Sequence, residues 1–163
     1  MGTRPQSGHT LVEILIAMLV LALLAGIVLP SSGVGDDRKL DTVQLEIQDA
    51  IDHAQSLAYQ TGSAHGVRFN TGHGWFAVVN EAGVAIDDPL THGDYIVRLA
   101  DPGQPTNVFI DYAIFGSRPL AAFDAKGVLV TAGSIHLRCG KSQRWLACNT
   151  ATASLTEIPV GTN

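Results

Sequence analysis

Gly8-His9-Thr10-Leu11-Val12-Glu13 is followed by an uncharged run from Ile14 to Val34, and the reading of this stretch decides how the rest of the chain is understood. A helix from His9 to Pro30 would be roughly 33 Å long at about 1.5 Å per residue. That is enough to cross a hydrocarbon core of about 30 Å. Glu13 is the one acidic residue inside it. A carboxylate in such a span costs about 2.5 kcal/mol or more on insertion scales, so it needs a compensating cation. An amino group created by cutting after Gly8 would supply one.

Other targeting segments fit the same residues less well. A secretory signal peptide has a basic start and is cut after its apolar core. Here Met1 to Ser7 carries only Arg4, and Leu24-Ala25-Gly26 is a poor small-residue cleavage site. No cysteine lies at that site, which excludes lipoprotein processing. An ordinary signal anchor has no use for Glu13.

Gly8, Thr10, Leu11, Glu13 and the apolar tail together resemble the cleavage and methylation motif of type IV prepilins and type II secretion pseudopilins. The resemblance implies a leader over residues 1–8, cleavage by prepilin peptidase between Gly8 and His9, and N-methylation of His9, which stands where the family usually has phenylalanine. It also implies that Glu13 pairs with the N-terminal amine of a neighbouring subunit during filament assembly. Further along, Ala50 to Gln60 followed by Gly66-Val67-Arg68-Phe69 is similar to the helix-to-sheet passage of the GspH/FimT family. Phe123-Asp124-Ala125-Lys126-Gly127 and then Ser134-Ile135-His136-Leu137 are similar to its late hairpin and following strand. The implied fold is α+β: a long N-terminal, partly transmembrane helix packed on an antiparallel β-sandwich-like C-terminal domain. The implied organisation is a leader (1–8), a transmembrane and filament-core helix (9–30), a kink and amphipathic helix (31–62), and a periplasmic β-rich domain (63–163).

Length suits one domain plus a membrane segment. The formal net charge is −5, and loss of Arg4 with the leader makes the remainder more acidic. An acidic domain does not favour nonspecific nucleic-acid binding. Cys139 and Cys148 are the two cysteines. In the oxidising compartment that the resemblance implies, a disulfide stapling the hairpin around Gly140-Lys141-Ser142-Gln143 is the favoured expectation, with two buried thiols as the alternative. Their spacing is not that of a zinc site.

Pro30, Ser31, Ser32, Gly33 and Gly35 interrupt the first helix, and Asp36 or Asp37 is placed to cap a second. Leu40, Val43, Ile47, Ala50, Ala54 and Leu57 recur at spacings of three and four. They form one apolar stripe, with Asp41, Gln44, Gln48, Asp52 and Gln55 largely away from it. The stripe fits a helix packed on its own domain; a coiled-coil contact between subunits is the alternative. Thr61-Gly62 ends the helix. Strands are expected over 64–70, 74–80, 95–99, 108–115, 121–123, 127–131, 134–139, 144–148 and 153–158. Turns are expected at 70–74 and 124–127, and loops at 87–89 and 101–105.

No constellation points to catalysis, a cofactor or a metal. His53, His65, His73, His92 and His136 show no HExxH or paired CxxC pattern. Ser117 lacks the GxSxG elbow. Asp87, Asp88 and Asp94 do not follow an EF-hand spacing. Arg138, Lys141 and Arg144 form a small basic cluster near Trp145, which is the candidate for the DNA binding that some FimT-like minor pilins show. The sequence therefore reads as a non-enzymatic subunit of a type II secretion pseudopilus. The alternative is a minor pilin of a type IV pilus. Its expected setting is the inner membrane, single-pass, with a periplasmic C-terminal domain. Its expected partners are other major and minor pilins or pseudopilins, prepilin peptidase, the inner-membrane assembly platform and the lipid bilayer.

Overall fold

The computed structural model describes residues 12, 14–16, 18–20, 34–99 and 107–159. The chain divides into two units, residues 1–32 and 33–163. In the first, the described residues are helical, and Val12, Ile14, Leu15, Ile16, Met18, Leu19 and Val20 are all exposed. These described residues are apolar on every side of the helix, which suits an apolar surrounding. Among the described residues no helix is long and apolar enough to cross a membrane. The rest of the span expected over 9–30, the interruption at 30–33 and the loop expected at 101–105 lie outside the described residues.

The second unit is α+β. Helix α1 (Val34–Thr61) precedes eight strands: β1 (His65–Asn70), β2 (Trp75–Asn80), β3 (Ile96–Arg98), β4 (Phe109–Phe115), β5 (Leu120–Phe123), β6 (Gly133–Cys139), β7 (Ser142–Cys148) and β8 (Leu155–Ile158). They form two four-stranded sheets, ordered β3-β2-β1-β5 and β4-β6-β7-β8, and every pairing is antiparallel. Helix α1 packs on β1, β2 and β5 of one sheet and on β6 and β7 of the other. The sheets themselves meet where β4 approaches β1 and β5. There the rings of Phe69 and Phe115 stack at 5.9 Å and 7°. The core is thus a helix shared by two sheets, with less direct sheet-on-sheet packing than the expected sandwich.

The stripe on α1 is real but broader than the sequence suggests. Leu40, Val43, Ile47, Ala50, Ile51, Ala54 and Ala58 are buried, whereas Leu57 is only partly so. Two turns of a 3.6-residue helix need three or four apolar positions for a globular core, and Ile51 and Ala58 supply the extra width. The stripe is taken up by the chain's own sheets, so it offers no seam for a coiled coil. Asp36 and Asp37 lie within the first turn rather than at the cap, where they favour the positive helix end. Gly62, at φ 64°, closes the helix by donating its N–H to the Ala58 carbonyl at 3.0 Å. Only glycine enters this left-handed region at no steric cost.

Polar residues beside the stripe tie α1 to β8 and to the Asp124 turn. Gln55 donates to the Gly127 carbonyl at 2.7 Å, and Gln48 accepts from the Leu155 N–H at 2.7 Å. The strand expected over 127–131 is absent. Its only pairing is the single bridge between Phe123 and Leu129. Asp124 explains the difference, because its Oδ1 accepts from the N–H groups of Lys126 and Val128, both at 2.9 Å. Those amides close a turn. The alternation of Val128, Leu129 and Val130 records one buried side chain between two exposed ones.

Gly66 sits in β1 between β2 and β5. A Cβ there would lie 2.6 Å from the Ala121 carbonyl oxygen and 3.2 Å from the Ala122 Cα. Both are backbone atoms of β5, hydrogen-bonded to β1, and cannot easily step aside. Gly66→Ala is expected to cost about 1–3 kcal/mol, in the range of other overpacking changes. Urea melts in detergent micelles, with Gly35→Ala as the control at a site with open space, would detect it. Equal stability of the two variants would contradict the β1–β5 pairing.

Candidate functional site

Gly8, His9 and Glu13, the residues expected to carry cleavage, methylation and assembly, lie outside the described residues. The second expected site, the hairpin of β6 and β7, is fully described. It does not gather a basic patch. Arg138 projects from β6 and makes a two-pronged pair with Asp111, through Nε to Oδ2 at 2.6 Å and Nη2 to Oδ1 at 3.0 Å. A β-bulge between Ile110 and Tyr112 re-aims Asp111 for this contact. Arg138 also lies over the Phe109 ring at 5.2 Å. Arg144 turns to the other face of the sheet, towards the helix, where its Nη1 meets Asp41 Oδ1 at 2.5 Å and Gln44 Oε1 at 3.1 Å. Glu157 adds a longer contact at 3.7 Å. Lys141 stands exposed in the turn. Alternation along the strands separates the arginines, since residues 138 and 144 are on opposite faces of the sheet.

The expected disulfide is also corrected. The β6–β7 register pairs Cys139 with Ser142 and Cys148 with Gly133. The two cysteines therefore occupy opposite ends of the hairpin, about 20 Å apart at ~3.3 Å per residue. A disulfide needs Cα atoms within about 7 Å, so no bridge closes between them. Close spacing in sequence is misleading here because both residues fall at matching ends of their own strands. Cys139 is buried and donates its thiol towards Asp36 Oδ1 at 3.6 Å. Burial pushes its pKa up, with the Asp36 charge adding. Burial raises the Cys148 thiol to about 11, helped by Asp52.

The histidines are dispersed. His53 stacks on Tyr95, His65 hydrogen-bonds the Ser63 carbonyl, and the His73 N–H is held by Asn70. His92 adopts φ 57° in its loop. His136 stacks on Trp145 at 4.3 Å with its Nδ1 3.8 Å from Asp111. Among the described residues no group of three or more histidine, cysteine or acidic side chains could hold a metal ion. Asp87 and Asp94 face each other across an isolated bridge, while Asp88 caps its own loop by accepting from Leu90 N–H and Thr91 Oγ1 at 2.8 Å each. Ser117 lies in the turn between β4 and β5, beside a cavity of about 380 Å³.

Two surfaces escaped the sequence reading. On the outer face of the second sheet, Phe109, Tyr112 and Ile158 are exposed beside Trp145. The period-two alternation of 133–139 and 142–148 carried a signal for that face. A cleft between α1 and the loop over residues 86–97 collects Asp49, His53, Asp88 and Tyr95. These come from segments more than thirty residues apart, so no local pattern announces them.

Two solution outcomes follow. Neither thiol should react with iodoacetamide at about pH 8 in the folded protein, because the thiolate is the nucleophile, and both should react after unfolding. A peptide map of unreduced protein should lack a Cys139–Cys148 link, and finding one would overturn the hairpin register. Asp111 is held below its usual value of 3.8, chiefly by hydrogen bonds from Arg138, against an opposing burial effect, with smaller help from the charges of Arg138 and His136. Its pairing thus stabilises the fold above the unfolded value and is lost as pH falls through the lower folded value. Asp111→Asn should flatten the decline in stability between about pH 5 and pH 2, and an unchanged acid profile would deny the pairing a role.

The comparison with known families bears on the N-terminus. Neither a curated protein nor a solved structure matches the chain. The family model of the prokaryotic N-terminal methylation motif matches residues 3–29, which include Gly8, His9 and Glu13. That match, on a chain whose described N-terminal residues are helical and apolar, indicates a type IV pilin-like protein.

Proposed function

We propose that this chain is a minor pseudopilin of the GspH/FimT type, a structural subunit of a type II secretion pseudopilus. One observation carries the pilin-like part of the reading: the methylation motif over residues 3–29 includes Glu13 at the start of an apolar run. In the proposed mechanism, prepilin peptidase cuts after Gly8 and methylates His9. The helix holds the subunit in the inner membrane with its β-rich domain in the periplasm. In the filament, apolar helices bundle, and Glu13 selects the register by pairing with a neighbour's N-terminal amine. That pair is strong because attraction between charges rises as the dielectric falls.

The motif is common to secretion and pilus systems, so the secretion assignment rests on the domain. The overall charge is −5, and Arg138 and Arg144 are engaged by Asp111, Asp41 and Glu157. Nonspecific DNA binding draws on clustered, available lysine and arginine, which this hairpin offers only at Lys141. A DNA-uptake pilin is therefore the less supported reading.

Protein extracted from membranes should begin His-Thr-Leu-Val-Glu on N-terminal sequencing. A start beyond Gly26 would establish a conventional signal peptide instead. Glu13→Ala should leave membrane level and protease resistance intact while reducing crosslinking to other pilin subunits. The loss reflects ~3–5 kcal/mol for leaving one buried charge without its partner. Wild-type crosslinking by the alanine variant would sink the pairing mechanism.

A further inference from the structure

We propose that the cleft between α1 and the loop over residues 86–97 receives a lysine or arginine side chain from a neighbouring pilin-type subunit. The partner's identity rests on the filament reading above; the cleft's preference for a cation rests on its own geometry. The space is about 310 Å³, at the small end of ligand sites. It suits one long side chain and excludes a folded element. Asp49 and Asp88 line opposite sides, one from the helix and one from the loop. Between them, His53 and Tyr95 stack at 5.5 Å and 20°, and the Tyr95 ring is of the kind that attracts cations. Leu90 and Val97 supply apolar contact for an aliphatic stem.

His53 is the one group lining the cleft that can carry positive charge. No lysine or arginine lines it. Asp49, and Glu46 one turn earlier on the same helix, take part in none of the ion pairs among the described residues, whereas Asp41, Asp111 and Glu157 all do. Burial, and then repulsion from Asp49, push the Glu46 carboxyl above its usual value. Tyr95 is raised by burial and by the charges of Asp88, Asp49 and Glu46. Three carboxylates thus bear on one tyrosine, and no lysine or arginine lining the cleft offsets them. A bare metal ion is a poor occupant, because no group of three ligands is assembled among the described residues.

The loop wall is held in place before any partner arrives. Asp88 accepts from Leu90 N–H and Thr91 Oγ1. Its own N–H donates to the Gly93 carbonyl at 2.7 Å, and Tyr95 N–H donates to the Ile86 carbonyl at 2.8 Å. A site already in its bound shape loses little to ordering.

The test places p-benzoylphenylalanine at Leu90, an 89 % exposed residue on the rim, in the full chain in its native membrane. Photo-crosslinking should join it to another chain bearing the N-terminal methylation motif, at a peptide containing lysine or arginine. Yield should fall about tenfold, equivalent to ~1.4 kcal/mol, in the Glu46→Gln/Asp49→Asn double variant at equal protein level. Reversing the pair, with Asp49→Lys here and the partner's cation changed to glutamate, should restore it. The probe at Val84, outside the cleft, controls for general proximity. Yield indifferent to neutralisation, a crosslinked peptide without a cation, or absence of crosslinks while Glu13-dependent filament contacts persist would each overturn the cleft proposal. A charge-dependent crosslink to a protein without the methylation motif would instead uphold the cation preference and overturn the filament reading that names the partner.

Discussion

The burial of one face of α1 against both sheets is the constraint on which the domain depends. Leu40, Val43, Ile47, Ala50, Ile51, Ala54 and Ala58 reach strands that otherwise meet only near β4. Each fully buried valine, leucine or isoleucine contributes on the order of 1.5–3 kcal/mol. Val67, Phe76 and Leu146 from the sheets are buried in the same core. Without the helix, each sheet would expose one apolar face to water. The helix is therefore the inner layer of the domain, and its stripe is unavailable for pairing with another subunit.

That packing also dictates where charge goes. Residues beside the stripe cannot be idle surface, because the sheets stand against them. Gln48 and Gln55 satisfy backbone groups of β8 and of the Asp124 turn, and Asp41 and Gln44 receive Arg144. The strand that carries Arg144 is pinned to the helix as a result, and the hairpin tip loses the positive charge that its composition suggested. Further along the same helix, Glu46 and Asp49 have no such cation. The contrast between a matched and an unmatched flank is a consequence of which sheet lies beside each turn.

In the proposed role, the two units divide the work. The apolar helix with Glu13 supplies an assembly chemistry common to pilin-like chains. The β-rich domain would supply identity, through surfaces that neighbouring subunits must fit. The aromatic face of Phe109, Tyr112 and Trp145 and the acidic cleft at Tyr95 lie on that domain, which has its own core and its own hydrogen-bonded loops.

The amino-acid sequence by itself determined the class of the protein, because the deciding features are local. A glycine, a glutamate five residues later and a long apolar run need no partner in space to be read. The helix over the forties and fifties and most strands were legible for the same reason, through periods of 3.6 and 2 residues. The width of the helix stripe, the turn at Asp124 in place of a strand, the separation of Cys139 from Cys148 and the neutralisation of Arg138 and Arg144 were decided only by tertiary structure. Each depends on strand register or on which side chain lies opposite. Those are relations between distant segments, and no window along the chain contains both members.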